Sequence, residues 1–206
     1  FHIIQNFSRE EIFSNKLYMP DREAAQKASE YLENCMASRN SAGGIIECVI
    51  HGAPAGLGEP VFDKLDASLA KAVMSIGAVK GVEIGDGFAV SSSTGQEDND
   101  GFRMRPDGHV EKTSNHAGGI LGGISDGSDI ILRAAVKPTP SIASDQKTVN
   151  KSGQEITVSI KGRHDPVIVP RAVVVVEAMA ALTLADALLL GTTSRLEYLQ
   201  KIWKEN

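Results

Sequence analysis

SNHAGGILGGISDGSDIILRAAVKPTPS, from Ser114 to Ser141, combines a glycine-rich segment, an apolar run at Ile130–Val136 that predicts a strand, and a Lys-Pro-Thr-Pro-Ser tail. Glycine lets backbone approach a ligand closely, and a lysine beside hydroxyls and rigid prolines is typical of a phosphate cradle. Neither GxGxxG nor GxxxxGK[ST] occurs in the stretch, so neither standard nucleotide fingerprint applies. On the pattern alone, a glycine-rich surface loop before an ordinary strand is the simpler interpretation. The glycines concerned are Gly118, Gly119, Gly122, Gly123 and Gly127.

The overall composition bounds the classes of partner. The chain has 206 residues, 42% of them hydrophobic and 23% charged, which suits one large domain or two small ones with a real core. Its formal net charge is -5, so it has no global basic field for nucleic acid or an anionic membrane. Any anionic ligand must therefore be met by local cations, and we expect neither nucleic acid nor membrane among the partners.

Cysteine usage and the chain start indicate the setting. The two cysteines, Cys35 and Cys48, lack CxxC spacing, which predicts buried thiols in a reducing cytoplasm and neither a disulfide framework nor a metal site. The sequence shows no charge-free apolar stretch of about 18 residues, so it predicts no membrane span. The N-terminus, FHIIQNFSREE, has neither an initiating Met nor a signal-peptide layout. We therefore expect an N-terminal part to be missing.

Apolar residues at helical spacing predict four helices, over residues 21–39, 61–76, 170–190 and 195–204. Asp21 is placed to cap the first helix. The third helix is almost wholly apolar, but three charged residues interrupt it, so it suits a helix between layers better than a membrane span. The second helix is expected to bury Phe62, Leu65, Leu69, Val73 and Ile76.

Short apolar runs predict strands over 45–50, 79–84, 88–92 and 130–136, and a hairpin that joins 146–150 to 155–160. Gly85-Asp86-Gly87 is a hairpin-like signal between two of these strands. The polar residues 93–113 lack calcium-loop spacing and predict a mobile surface loop, or else a lid that orders over a ligand. Antiparallel hairpins with long apolar helices favour a layered α+β fold over a doubly wound parallel sheet.

A second candidate site lies at Arg163, His164 and Asp165, which are adjacent, so that His164 faces away from the other two on an extended segment. Arg163 is suited to hold a phosphate or carboxylate in its fork, and Asp165 to orient that group or to contact the reacting one. An Arg163–Asp165 pair that fixes the turn before Pro166 stays open as an alternative. The sequence has no GxSxG elbow. No metal-ligand spacing joins His51, His109, His116 and His164.

Several long motifs in fixed order together resemble the chorismate synthase family, from about residue 43 to residue 186. They are AGLGEPVFDKLDASLAKAVMSI (55–76), KGVEIGDGF (80–88), SNHAGGILGGIS (114–125), KPTPSI (137–142) and GRHDPVIVPRAVVVVEAMAALTLAD (162–186).

The resemblance implies the last step of the shikimate pathway, which serves aromatic amino acid biosynthesis. In that step a cytoplasmic lyase eliminates phosphate, anti and 1,4, from 5-enolpyruvylshikimate 3-phosphate to give chorismate. The family requires reduced FMN although the reaction is redox-neutral. The resemblance further implies a sandwich of antiparallel sheets enclosing long helices, and a homotetramer. Whether the protein reduces its own flavin with NADP(H) stays open.

Matched motif by motif, the resemblance also implies site residues. Asp165 corresponds to a family carboxylate near flavin N5, where it handles protons. Gly77 is a departure, because many relatives have Asn there. The FMN contacts implied are Gly77, Ala78, Gly122, Lys137, Pro138, Thr139, Pro140, Ser141 and Arg163.

A larger departure is that the family's N-terminal half is absent from residues 1–206, so they resemble the C-terminal part of a single domain. The absent half includes a GESHG-like motif, an RxSxRET-like segment and the catalytic histidines, of which His116 and His164 are not equivalents. We therefore expect this fragment alone to be inactive. The alternative to a chorismate synthase-like enzyme is a protein of another class, an inactive fragment that only binds FMN or phosphate.

Overall fold

The structure, a computed structural model, describes residues 7–162 and 164–204. Helices and small sheets alternate along the chain, which confirms the predicted α+β class. The helices are α1 Arg9–Ile12, α2 Arg22–Ala37, α3 Leu65–Met74, α4 Gly95–Asp98, α5 Val169–Gly191 and α6 Leu196–Trp203, with a 3-10 helix at Gly87–Ser92. The strands are β1 Gly44–Ile50, β2 Val79–Ile84, β3 Phe102–Met104, β4 Val110–Lys112, β5 Ile120–Leu121, β6 Ile124–Ser125, β7 Ile130–Val136, β8 Gln146–Val149 and β9 Glu155–Val158.

The chain divides into two compact units. The first unit comprises Phe1–Ile45 and Val136–Val174, and the second comprises Ile46–Ala135 and Val175–Asn206. The chain passes from one unit to the other within β1, at the last residue of β7 and within α5.

Strand β7 is the middle strand of a three-stranded sheet of order β1-β7-β2. Its burial alternates, as expected of a strand that packs one face against a core: Ile130, Leu132 and Ala134 are fully buried, and Val136 nearly so. The prediction of strands at 45–50, 79–84 and 130–136 is therefore confirmed.

The remaining strands form three antiparallel pairs, β3–β4, β5–β6 and β8–β9. The β8–β9 pair confirms the predicted hairpin, with Gln146 opposite Val158 and Val149 opposite Glu155. Gly153 takes the left-handed conformation that its turn requires, at a φ of 77°.

Capping sets the start of α2, whereas a tertiary contact sets the start of α3. Asp21 accepts hydrogen bonds from the first-turn amides of α2, as predicted. Helix α3 begins at Leu65 and not near residue 61, because Phe62 has a left-handed φ of 57° and the Leu65 N–H donates to the Gly123 carbonyl at 2.8 Å. Phe62 is 91% exposed, so its predicted burial is wrong, whereas Leu65, Leu69 and Val73 are buried as expected.

The strand predicted at 88–92 is wrong, because the segment is a 3-10 helix. Strand β2 pairs with β7 instead of with this segment. The Glu83 carboxylate accepts the Phe88 N–H at 3.1 Å, and the Ala89 N–H donates to the Asp86 carbonyl at 3.1 Å. These local bonds coil the chain directly after Gly87.

The predicted loop at 93–113 contains regular structure, which corrects the expectation of a plain surface loop. Thr94 and Glu97 form a capping box on the short helix α4, and strands β3 and β4 pair beyond it. Asp100 is buried. A polar anchor therefore fixes this segment where no apolar one exists.

Helix α5 matches the helix predicted at 170–190, but most of it is exposed. Of the described residues, it alone is long and apolar enough to cross a membrane by length and composition, with 23 residues and a mean hydropathy of 2.2. That corrects the expectation that its charges put it outside such limits. Only 11% of its most apolar window is buried. The interior helix of a soluble protein passes the same test, so these two properties do not assign α5 to a membrane.

Candidate functional site

In the first unit, residues 137–141 leave strand β7 with one unpartnered buried hydroxyl. Lys137 is exposed, and Thr139 is half-buried. The Thr139 Oγ1 atom is buried and makes no hydrogen bond within the described part of the chain. Leaving a buried hydroxyl unpaired costs about 1–3 kcal/mol, so this atom is suited to a ligand. Next to it, the Pro140 carbonyl accepts hydrogen bonds from Gln146 Nε2 and the Ile142 N–H, both at 3.1 Å.

A cavity of about 190 Å³ lies beside the second candidate segment. Asp165 lines it, and the Asp165 carboxylate forms an ion pair with the Arg171 guanidinium. His164 also lines the cavity, and its Nε2 donates to the Ile160 carbonyl at 3.0 Å. The cavity is lined by Met36, Arg39, Asn40, Ser41, Ile142, Ala143, His164, Asp165 and Pro166.

Arg163 lies outside the described residues. The alternative that an Arg163–Asp165 pair fixes the turn before Pro166 therefore stays a prediction. What the structure adds is that Asp165 already has a cationic partner in Arg171.

The turn at residues 40–44 contacts both candidate segments of the first unit, a role that the sequence motifs did not indicate. The Ser41 hydroxyl donates to the Thr139 carbonyl at 2.7 Å. The Ala42 N–H donates to the Pro166 carbonyl at 2.7 Å, and Ala42 forms a parallel bridge with Val167. The adjacent glycines between a helix and a strand were the available signal, since such pairs often mark a close backbone approach.

Gly43 shows how close that approach is. A Cβ placed on Gly43 would lie 2.5 Å from the Val136 carbonyl oxygen and 3.1 Å from Pro138 Cδ. A Cβ on Gly44 would lie 3.1 Å from a Val169 methyl. The turn therefore packs backbone against backbone at the start of the Lys-Pro-Thr-Pro-Ser segment.

In the second unit, Gly122 lies at the tip of the β5–β6 hairpin. Leu121 pairs with Ile124 across a two-residue turn, in which Gly122 and Gly123 have left-handed φ values of 59° and 86°. A side chain on Gly122 would meet nothing within 4 Å, whereas one on Gly123 would meet the Glu59 carbonyl at 2.5 Å. Gly122 thus presents open backbone, and Gly123 provides packing.

Gly77 and Ala78 follow the other end of α3, so the structure does not bring them together with Gly122 inside the second unit. The hairpin contacts Leu65 at the first residue of α3, whereas Gly77 follows its last residue, Met74. At 1.5 Å per residue, the ten residues of α3 separate these ends by about 15 Å. Ala78 has a left-handed φ of 72°, and the space around Gly77 is open.

A buried charge cluster supports the glycine-rich segment. The Lys112 ammonium lies 3.0 Å from Asp100 and 2.8 Å from Asp126, and all three side chains are at least nine-tenths buried. Burial opposes ionisation of Asp126, but hydrogen bonds from Lys112 and Ser128 outweigh it and lower the Asp126 pKa below its ordinary range. The cluster thereby ties β4 to the loop after β6.

Asp100 carries the cluster into the start of the glycine-rich segment. Burial alone would raise the Asp100 pKa, but the Ser114 hydroxyl, the Ala117 and His116 N–H groups and the Lys112 ammonium all donate to it, at 2.7 to 3.1 Å. These bonds hold the Asp100 pKa well below its usual range. The buried Asp100 thereby joins strand β4 to the start of the glycine-rich segment.

His116 accompanies this cluster. Its Nδ1 atom lies 2.7 Å from the Asp86 carboxylate, and that hydrogen bond raises the His116 pKa above its ordinary value, against a smaller effect of burial. Among the described residues, no group of three or more His, Cys, Asp or Glu side chains is arranged to hold a metal ion.

Comparison with known proteins gives one family throughout. The family model described as chorismate synthase matches residues 2–189. Among curated proteins, a chorismate synthase of Agathobacter rectalis is 64% identical over 97% of this chain and 54% of its own length, and one of Lachnoclostridium phytofermentans is 64% identical over 96% and 54%. A chorismate synthase crystal structure superposes with a TM-score of 0.74 at 31% identity, over 95% of this chain and 52% of that one. The chain thus spans about half the length of the relatives it matches.

Proposed function

This chain belongs to the chorismate synthase family, and from that membership we propose that it serves the elimination of phosphate from 5-enolpyruvylshikimate 3-phosphate, giving chorismate. The observation that carries the proposal is the buried Thr139 hydroxyl, which has no hydrogen-bond partner among the described residues and lies two positions after the exposed Lys137. A cation and free hydroxyls on rigid backbone suit a phosphate-bearing ligand.

The cofactor that we propose is reduced FMN, and the described residues fit it. In the first unit, Lys137 supplies positive charge, and the Thr139 hydroxyl supplies a hydrogen-bonding group that has no partner among the described residues. In the second unit, taken by itself, Gly77 and Gly122 each leave open space where a side chain would stand. When bound, reduced flavin supplies a transient electron that helps to expel phosphate. We assign its contacts to Gly77, Ala78, Gly122, Lys137, Pro138, Thr139, Pro140, Ser141 and Arg163.

Asp165 is the proposed catalytic residue. Its carboxylate is half-buried at the edge of the cavity, where the Arg171 guanidinium orients it. In that place it holds or accepts a proton while the ring hydrogen of the substrate is lost. The catalytic histidines of the family lie in the half that residues 1–206 do not match, so we expect no useful turnover from this chain alone.

The wider setting belongs to the same proposal. We propose a cytoplasmic enzyme of aromatic amino acid biosynthesis that assembles as a homotetramer in which sheets enclose the long helices. Three apolar side chains of α5, Val174, Leu182 and Leu189, are 51%, 64% and 68% exposed, so this helix offers apolar surface to the sandwich and to the assembly that we propose.

The test begins with an anaerobic titration of the 206-residue chain with reduced FMN, with and without the phosphorylated substrate. We expect saturable flavin binding and no chorismate. Arg163→Ala should weaken binding by about 1.5–3 kcal/mol, the scale of a charged hydrogen bond. Absence of flavin binding to the intact chain would overturn the proposal, whereas turnover near that of full-length relatives would overturn the expectation that this chain alone is inactive.

The role of Asp165 is tested in a chain extended to the full length of the relatives. Asp165→Asn keeps the side-chain shape, so flavin affinity should persist while turnover falls by about 10²–10⁴-fold. Asp145→Asn, an exposed carboxylate in the same unit, is the matched control and should leave turnover unchanged. Equal losses of melting temperature, flavin affinity and rate in Asp165→Asn would return Asp165 to a structural role.

A further inference from the structure

We infer that Ser41 is a positioning residue of the cofactor site, acting through the backbone of Thr139. The inference rests on the proposed function, because it takes residues 137–141 to hold the flavin. It adds a residue that the family motifs quoted above do not include.

The geometry begins with one hydrogen bond. The Ser41 hydroxyl donates to the Thr139 carbonyl at 2.7 Å, and the Ser41 side chain is half-buried. That bond fixes the plane of the peptide that follows Thr139. The Thr139 Oγ1, buried and without a partner within the described part of the chain, projects from the same residue. Fixing the peptide therefore limits the positions that this hydroxyl can take, because a β-branched side chain has few χ1 rotamers.

The same turn also holds the segment that carries Asp165. The Ala42 N–H donates to the Pro166 carbonyl at 2.7 Å, one residue after Asp165. Ser41 and Asp165 line the same cavity. A shift of this turn would thus move the proposed ligand-binding hydroxyl and the proposed catalytic carboxylate together. A loop that only ended helix α2 would not need hydrogen bonds to both segments.

Close packing gives the turn the stiffness that positioning needs. Gly43 leaves no space for a Cβ against the Val136 carbonyl, and its nearest other neighbour is Pro138. Proline has a fixed φ and removes one soft dihedral. The backbone of residues 137–141 is therefore restrained by the fixed φ of Pro138 and by the hydrogen bond from Ser41 to Thr139.

The experiment compares Ser41→Ala, Ser41→Thr and Ser144→Ala in the 206-residue chain. Ser144 is the matched control, because its hydroxyl donates to the Arg39 carbonyl at 3.0 Å in the same unit without touching residues 137–141. Each alanine variant removes one hydroxyl and no buried methyl, so each is expected to fold. Amide hydrogen exchange over residues 137–142, reported by the four residues of this segment that are not proline, and affinity for reduced FMN are measured for all three.

We expect Ser41→Ala to speed exchange over 137–142 about fivefold and to weaken reduced FMN binding by a similar factor, the loss of one neutral hydrogen bond. Ser41→Thr should restore both, and Ser144→Ala should change neither. Unchanged exchange in Ser41→Ala overturns the inference whether or not flavin binds. Faster exchange with flavin affinity intact overturns the positioning role. If the unaltered chain binds no flavin, the proposed function fails, and with it the cofactor part of the inference, while the exchange result still decides whether Ser41 holds the segment.

Discussion

Replacing Lys112 by methionine is expected to lower the free energy of unfolding by about 3–5 kcal/mol, because it leaves two buried carboxylates without their shared cation. The Lys112 ammonium lies 3.0 Å from Asp100 and 2.8 Å from Asp126. At an effective dielectric constant of about 20, each contact attracts by roughly 5 kcal/mol. Desolvation of the three buried groups offsets much of that attraction in the intact protein, but removing the lysine leaves the desolvation of the two carboxylates in place.

Urea unfolding followed by circular dichroism measures the loss. Lys27→Met is the matched control, since Lys27 pairs with Glu23 on the surface of α2, with side chains 72% and 78% exposed. An exposed pair contributes about 0.2–1 kcal/mol. If both substitutions lower the free energy of unfolding by the same amount, the buried cluster does not stabilise the fold as reasoned.

The pH dependence supplies a second check on the same variant. The pKa values of Asp100 and Asp126 are lowered in the folded protein, so their stabilisation is present above the ordinary aspartate pKa and is lost as pH falls through the folded values. Without Lys112 the pKa values of both aspartates rise. As pH falls, the variant therefore protonates its two carboxylates at a higher pH than the unaltered chain does, and this removes the cost of their buried negative charges. The stability gap between Lys112→Met and the unaltered chain should therefore narrow as pH falls from about 7 to about 4, and a widening gap would contradict the cluster.

Two further outcomes test local geometry. The His116 pKa is raised mainly by its hydrogen bond to Asp86, so protonated His116 stabilises the fold below about pH 6.5, and this stabilisation is lost as pH rises through the folded pKa. Asp86→Asn should therefore lower the His116 pKa measured by NMR titration. An unchanged His116 pKa would contradict the hydrogen bond between His116 and Asp86. Gly43→Ala should lower the free energy of unfolding by about 1–3 kcal/mol, because the added methyl overpacks the turn, and the melting temperature should fall with it. Gly77→Ala, where space is open, should leave the free energy of unfolding unchanged or raise it by about 0.4–1 kcal/mol. Equal effects of the two would refute the close approach at Gly43.

Elements whose determinants are local were predictable from the sequence. Asp21 caps α2 through amides two and three residues ahead, and that signal is fully contained in the sequence around it. The β8–β9 hairpin is set by its own turn at Gly153, and β7 by alternating apolar residues. Each needs no knowledge of a distant partner.

Elements whose determinants are distant were not predictable. The first residue of α3 is fixed by a bond from the Leu65 N–H to Gly123, and apolar spacing alone placed Phe62 inside the helix. The hairpin-like signal at Gly85-Asp86-Gly87 indicated a local partner for β2, whereas β2 pairs with β7, which lies far along the chain. In both cases tertiary pairing overrode a local pattern.

The candidate site divides in the same way. Lys137 and Asp165 stand out because their motifs are long and specific. Ser41 was missed because its partner, Thr139, is 98 residues away, and the nearby glycines mark the turn but not the serine. Likewise, the composition of residues 93–113 does not show that Asp100 is buried, because that burial depends on an ion pair with Lys112 on strand β4.

The long separation between Ser41 and Thr139 has a consequence for the order of folding. Closing a loop of 98 residues costs about 2 kcal/mol more chain entropy than closing the β8–β9 hairpin, whose strand ends are 12 residues apart. Strands β1 and β7 are neighbours in the sheet, and their pairing brings the turn before β1 to the segment after β7. The sheet must therefore form before the Ser41 contact becomes favourable. We therefore expect the proposed ligand-binding groups to assemble last, on a scaffold built by contacts outside the proposed site.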